Sequence, residues 1–176
     1  MLSILKLIVD AIATLLGAAL LLRFWMQAIR VRPPSSVAQF TFQLSDWLVR
    51  PLRRIVPGVG GYDWASLIGA FLIVLAASSI YFLNGWPGPA VLLMACQRFL
   101  EWILYGFMAL LVIEAIFSWV NPHAPLAPFV RALNEPILRP LRRVVPLVGN
   151  LDLSLLVALI LLQIAQLLLG MAFAGR

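Results

Sequence analysis

Cysteine occurs once in this 176-residue chain, at Cys96, and histidine once, at His123. A single thiol forms no internal disulfide, and one thiol with one imidazole does not make a Cys/His metal cluster. Charge is scarce as well. Asp, Glu, Lys and Arg make up 11 % of residues, where a soluble domain carries about 25 %. Acid is scarcer than base, with 7 Asp and Glu against 13 Lys and Arg, for a net charge of +6. No Ser/His/Asp set, glycine-rich phosphate loop or metal-ligand spacing occurs. The sequence therefore reads as a non-enzyme, with no catalytic, cofactor-binding or metal-binding residues. What fills the chain is apolar: 63 % of residues are hydrophobic and the mean hydropathy is +1.01. A soluble core cannot hide that much apolar surface, so lipid must be the solvent for most of it.

A spanning helix needs about 20 predominantly apolar residues. Four windows qualify, at about 5–26, 64–83, 99–120 and 153–174. The first resembles a secretory leader in its early Lys6. However, Asp10 lies inside it and Arg23-Phe24-Trp25 follows it instead of a small-residue cleavage site, so it reads as a retained span. Ten of the 13 basic residues lie at or between spans one and two or between spans three and four. By the positive-inside rule those two loops are cytoplasmic. Both termini and the connection at 84–97 then face outward. The breaker cluster Asn84-Gly85-Trp86-Pro87-Gly88-Pro89 supplies the turn in that connection.

The phrase RPLRRIVP at 50–57 returns as RPLRRVVP at 139–146. Shifting the chain by 89 residues overlays the two without a gap. Asp46 then falls on Glu135, Gly60 on Gly149 and Asp63 on Asp152. The chain thus reads as two repeats, 1–88 and 90–176, each a span, a loop and a span. Two spans per repeat give both the same orientation, so the predicted fold is all-α, a pseudo-twofold bundle of four transmembrane helices in two parallel repeats. Within each loop apolar residues recur at helical spacing, from Val37 through Ile55 and from Leu126 through Val144. Each loop is predicted to hold an amphipathic helix lying in the membrane interface. Pro51 and Pro140 are predicted to break that helix in two, and Pro57 and Pro146 to stop its second piece. Asp63 and Asp152 suit the N-caps of spans two and four.

Two spans per repeat, an RPLRR-x-x-P core and a following G-x-x-D span start resemble the YggT family of small bacterial membrane proteins, whose repeat also occurs in YlmG-type proteins of plastids and cyanobacteria. The likeness covers nearly the whole chain, and RFWMQ at 23–27 is similar to the enterobacterial form. The resemblance implies the bacterial inner membrane. It also implies an association with osmotic and ion homeostasis, or with cytochrome assembly and nucleoid or division phenotypes in the plastid lineage.

Several residues stand out within this frame. Arg50, Arg53 and Arg54, with Arg139, Arg142 and Arg143, form two basic patches suited to anionic headgroups or a protein partner, at ~1 kcal/mol per basic residue near the surface. Nucleic acid is not the expected partner, because no soluble basic domain or aromatic platform accompanies them. Glu114 sits inside the third span, where an ionisable group needs a partner or water. The 89-residue shift places Arg23 over Val112, two positions from Glu114. Arg23 and Glu114 are expected to pair, or each to snorkel to the interface. Arg98 and Glu101 are expected to pair at i,i+3. Gln163 and Gln166, near one helical turn apart in span four, suit interhelical hydrogen bonds or a transport path, and conduction through so few spans would need a homo-oligomer. Two functions fit these features: a membrane assembly or scaffold factor, and a transporter or channel component in ion or osmotic balance.

Overall fold

A computed structural model describes residues 2–145 and 152–174, so Pro146 and Gly149 of the second motif lie outside the described residues. The elements are α1 (Leu2–Ala28), α2 (Ser35–Ile55), α3 (Trp64–Ser78), α4 (Gly88–Val120), α5 (Ala127–Leu141) and α6 (Leu153–Ala174). A 3-10 segment (Ser79–Asn84) continues α3. Among the described residues no strand forms. Among the described residues four helical stretches are long and apolar enough to cross a membrane: Ile4–Ala28, Trp64–Asn84, Gly88–Val120 and Leu153–Ala174. The shortest, 21 residues, reaches ~30 Å at ~1.5 Å per residue, the thickness of the hydrocarbon layer. A multi-pass membrane protein follows.

The distribution of side-chain size agrees. Small residues are inside: Ala13, Ala19, Ala65, Ala70, Ala95 and Ala158 are buried. Large aliphatics such as Ile8, Leu15, Leu72, Ile160 and Leu167 are outside. In lipid no hydrophobic force gathers the large side chains inward, so close backbone approach over small residues selects the contacts.

Packing divides the chain into two compact units. The first holds Met1–Arg30 and Ser35–Ile103; the second holds Val31–Pro34 and Leu104–Arg176. In the first, α1, α2 and α3 pack on one another around Leu20, Val49, Ala65 and Ala70, with Phe99 of α4 against them. In the second, Leu111 of α4, Leu138 of α5 and Ala158 of α6 form the core.

Two expectations about helix limits need correction. Neither motif proline stops its loop helix at the residue before it. α2 runs through Pro51 to Ile55, and α5 runs through Pro136 and ends at Leu141, one residue past Pro140. A proline inside a helix costs one backbone hydrogen bond and a ring clash, roughly 3 kcal/mol. Here packing on both sides of the proline outweighs that cost. Leu48 and Leu52 flank Pro51 and both join the first core, while Leu138 and Leu141 flank Pro140 and join the second. The third membrane helix also begins at Gly88, well before residue 99. Pro87-Gly88-Pro89 ends the turn and opens the helix, because a proline in the first turn loses only an N–H that has no helical partner.

Gly17 of α1 faces Trp102 of α4 within the first unit, and a Cβ added there would overlap the indole ring. Glycine to alanine inside a helix ordinarily gains ~1 kcal/mol. At Gly17 the sign is expected to reverse. Gly17→Ala should cost about 1–3 kcal/mol through overpacking, read as a lowered unfolding midpoint in detergent.

Candidate functional site: the Arg-Pro motifs and their aspartates

The second arginine of each RPLRR phrase reaches back to the aspartate that starts the following span. In the first unit, α3 begins with Asp63 as its N-cap, which accepts from the Ser66 backbone N–H at 3.4 Å and from Ser66 Oγ at 2.6 Å. That carboxylate is 2 % exposed. Arg53 donates to it from Nη2 at 2.6 Å and from Nε at 3.3 Å. Arg23, itself buried in α1, brings its Nε within 3.4 Å of the same carboxylate. The Arg23 Nη1 also donates to Ser45 Oγ at 2.7 Å and to Asp46 at 2.6 Å, and the guanidinium lies over the Phe42 ring. Arg50, one turn beyond Asp46 on α2, closes the set at 2.8 Å. One charged node thus ties α1, α2 and the start of α3 together.

The second unit repeats the clamp. Arg142 Nε donates to Asp152 at 2.8 Å and its Nη1 donates to Glu135 at 3.0 Å. Asp152 in turn accepts from the backbone N–H of Ser154 at 3.0 Å and from the Ser154 hydroxyl. The third contact of Arg142 is Glu114, at 3.4 Å. Asn134, fully buried on α5, donates from Nδ2 to Glu114 at 2.7 Å and to the Leu110 carbonyl at 2.9 Å. Under the 89-residue shift Arg53 matches Arg142, Asp63 matches Asp152, Asp46 matches Glu135 and Ser45 matches Asn134.

The electrostatics follow from these partners. The hydrogen bond from Arg23 is the largest influence on Asp46 and, with Arg50, holds its carboxyl below the ordinary 3.8 despite some desolvation. Burial pushes Asp63 up, but hydrogen bonds from Arg53 and Ser66 and the nearby guanidinium charges outweigh it and leave the group below 3.8. Asp152 behaves in the same way, with burial opposed by Ser154 and Arg142. A carboxyl whose folded value is lowered stabilises the fold above its unfolded value and loses that contribution as pH falls through the folded one. The contribution of these three carboxyls to stability is therefore expected to be complete above about pH 5 and to fall steadily below about pH 4. Unfolding midpoints across that range test this, and Asp46→Asn should flatten part of the slope.

Several sequence expectations change here. Arg23 is paired with Asp46 and Asp63, and Glu114 with Asn134 and Arg142, so each finds partners inside its own unit. Arg98 pairs with Asp10 at 2.7 Å, while Glu101 accepts from Gln97 at 2.8 Å. The six motif arginines also divide. Arg53 and Arg142 are committed to the span-start aspartates. Arg54, Arg139 and Arg143 are exposed and form no ion pair among the described residues. Gln163 is exposed, and Gln166 is half-buried with a buried Nε2 that lacks a partner among the described residues. Of the structural motif positions, Gly60 takes a left-handed φ of 69°, and Pro57 lies two residues past the end of α2.

Ser45, Asn134, Ser66 and Ser154 were not singled out in the sequence, although they complete the nodes. A signal for the acidic members existed. Asp46 and Glu135 each precede the motif's two relevant arginines by four and seven residues, which is one face of a helix.

Comparison with known proteins agrees with this repeated geometry. The family model described as CCB3/YggT matches residues 1–83 and 93–173. An uncharacterised protein of Vibrio alginolyticus, from the region 3' of proC, is 34 % identical over 163 residues, covering 85 % of this chain and 84 % of its own. An uncharacterised Pseudomonas aeruginosa protein is 33 % identical over 171 residues, covering 92 % and 85 %. The uncharacterised YggT protein of Escherichia coli K12 is 28 % identical over 158 residues, covering 89 % and 84 %. No solved structure matches. With two matched segments carrying the same span, clamp and span, the chain belongs to the CCB3/YggT family.

Proposed function

We infer that the chain is a multi-pass scaffold of the bacterial inner membrane, with its two Arg-Pro loops on the cytoplasmic side, its termini in the periplasm, and the loops holding anionic lipid. The observation that carries this reading is the division of labour within each motif. One arginine is tied to the span-start aspartate, which fixes the loop against the helix that follows. The neighbouring Arg50, Arg54, Arg139 and Arg143 stay exposed, beside Ile55 at 79 % and Val144 at 81 % exposure. Exposed arginines next to exposed aliphatics suit a headgroup layer, where the charge meets phosphate and the hydrocarbon enters the acyl boundary.

The test is lipid-dependent stability. Purified protein in neutral micelles should gain stability as phosphatidylglycerol is added. Changing Arg54, Arg139 and Arg143 together to Gln should remove most of that gain, at ~1 kcal/mol per residue, without lowering stability in neutral lipid. An unchanged response to phosphatidylglycerol would overturn the lipid-holding reading.

A second reading, a component of an ion-conducting or osmotic device, has one observation in its favour. Glu114, a carboxyl group within a membrane helix, is 6 % exposed and connects to the loop through Arg142. Proton or K⁺ flux in liposomes, abolished by Glu114→Gln, would favour it; no flux from folded protein would sink it.

A further inference from the structure

The two repeats solve the same electrostatic problem with opposite signs. In the first unit three guanidiniums, Arg23, Arg50 and Arg53, meet two carboxylates, Asp46 and Asp63. In the second, one guanidinium, Arg142, meets three carboxylates, Glu114, Glu135 and Asp152. The position that overlays Arg23 is Val112, so the buried cation of the first unit has no counterpart. Arg131 of α5 adds positive charge from beyond ion-pair distance. Even with it, carboxylates outnumber guanidiniums by three to two.

Glu114 is the least compensated of the three. Arg142 lies 2.8 Å from Asp152 and 3.0 Å from Glu135, but 3.4 Å from Glu114. Glu135 and Asp152 have side-chain exposures of 47 % and 27 %, so water reaches both. The Glu114 side chain is 7 % exposed and belongs to a membrane helix. Its remaining donor is the Asn134 amide, which it shares with the Leu110 carbonyl. Asn134 is fully buried, and its own Oδ1 has no donor among the described residues. Glu114 therefore depends on one neutral NH₂ group and on a guanidinium at 3.4 Å that two other carboxylates hold more closely. The cluster lacks one positive charge, and a proton on Glu114 supplies it. A buried carboxylate without adequate pairing takes up a proton in preference to bearing its charge.

We propose that Glu114 is a proton-binding site, holding a dissociable proton at neutral pH where the first repeat holds the Arg23 guanidinium. Protonation leaves two carboxylates, Glu135 and Asp152, facing Arg142 and Arg131. The groups facing Glu114 are then Asn134 and Arg131 from α5, Arg142 after it and Asp152 before α6.

The test uses the full-length protein in liposomes, with glutamate labelled at the side-chain carboxyl carbon and read by solid-state NMR at pH 7. Only three glutamates, Glu101, Glu114 and Glu135, contribute. One signal should stand at the protonated position, move to the ionised position on alkalinisation, and disappear in both Glu114→Gln and Glu114→Asp. Three ionised signals in the unaltered protein at pH 7 would overturn the proposal, and so would a protonated signal that survives Glu114→Gln. The first of these needs no variant to fold.

Discussion

Asp63→Ala is expected to cost about 3–5 kcal/mol of unfolding free energy, the range for removing one partner of a buried ion pair. The carboxylate is 2 % exposed and receives Arg53, Arg23 and Ser66. Without it Arg53, 45 % exposed, can turn to water. Arg23 cannot, because its side chain is 8 % exposed and keeps only one carboxylate, Asp46, beside the Ser45 hydroxyl. The loss is therefore dominated by a stranded buried cation, with a smaller share from the lost helix cap. Asp63→Asn, which retains hydrogen-bonding atoms at the cap, should cost less. The equivalent Asp152→Ala should cost only about 0.5–2 kcal/mol, a cap-sized loss, because Asp152 is 27 % exposed and no buried arginine depends on it. Reversible unfolding in mixed micelles measures all three.

Leu138→Ala is expected to be the other large effect, about 2–5 kcal/mol. Leu138 is fully buried and is the α5 member of the buried core cluster with Leu111 of α4 and Ala158 of α6. Removing it leaves a cavity that rigid helices close poorly. Its carbonyl accepts the Arg142 N–H at 2.8 Å, so slack at this position also loosens the arginine that reaches Asp152. Leu141→Ala, one turn on at the edge of the same cluster, should cost less. The same unfolding measurement separates them.

Much of this architecture is legible in the sequence because lipid imposes a simple rule. A helix that satisfies its own backbone and faces hydrocarbon must be apolar along its length, and the four spans follow from that. The repeat is legible because the 89-residue shift preserves Pro, Arg and Asp positions together. Helix continuity is not. Pro51 and Pro140 carry a strong local signal, and the packing of Leu52 and Leu138 that overrides it depends on contacts distant in sequence. The start of α4 was obscured for a related reason: Pro89 reads as a breaker until its place in the first turn is known.

The node was half legible. Arg23 and Glu114 stand out in the sequence as charges needing partners, which is correct as physics. The 89-residue overlay points each to the other, whereas their partners come from the loop folded back beside each span. Arg53 reads as one of three equivalent basic residues, and Asp63 as a helix cap. That the chain from Arg53 to Asp63 turns back on itself, with Val59 paired to Tyr62 and Gly60 and Gly61 at positive φ, brings the two together. Glycine makes that turn possible, but the sequence alone does not say which arginine will face the cap.

The central point is that one arginine of each motif is a clamp on the following span, and a double-mutant cycle on Arg53 and Asp63 tests it most directly. Arg53→Ala, Asp63→Ala and the double variant are unfolded in neutral mixed micelles, where lipid charge plays no part. The expected result is a coupling free energy of about 1–3 kcal/mol, as for a hydrogen bond between charged groups. Additive losses with a coupling near zero would contradict it, leaving Arg53 a surface charge like Arg54.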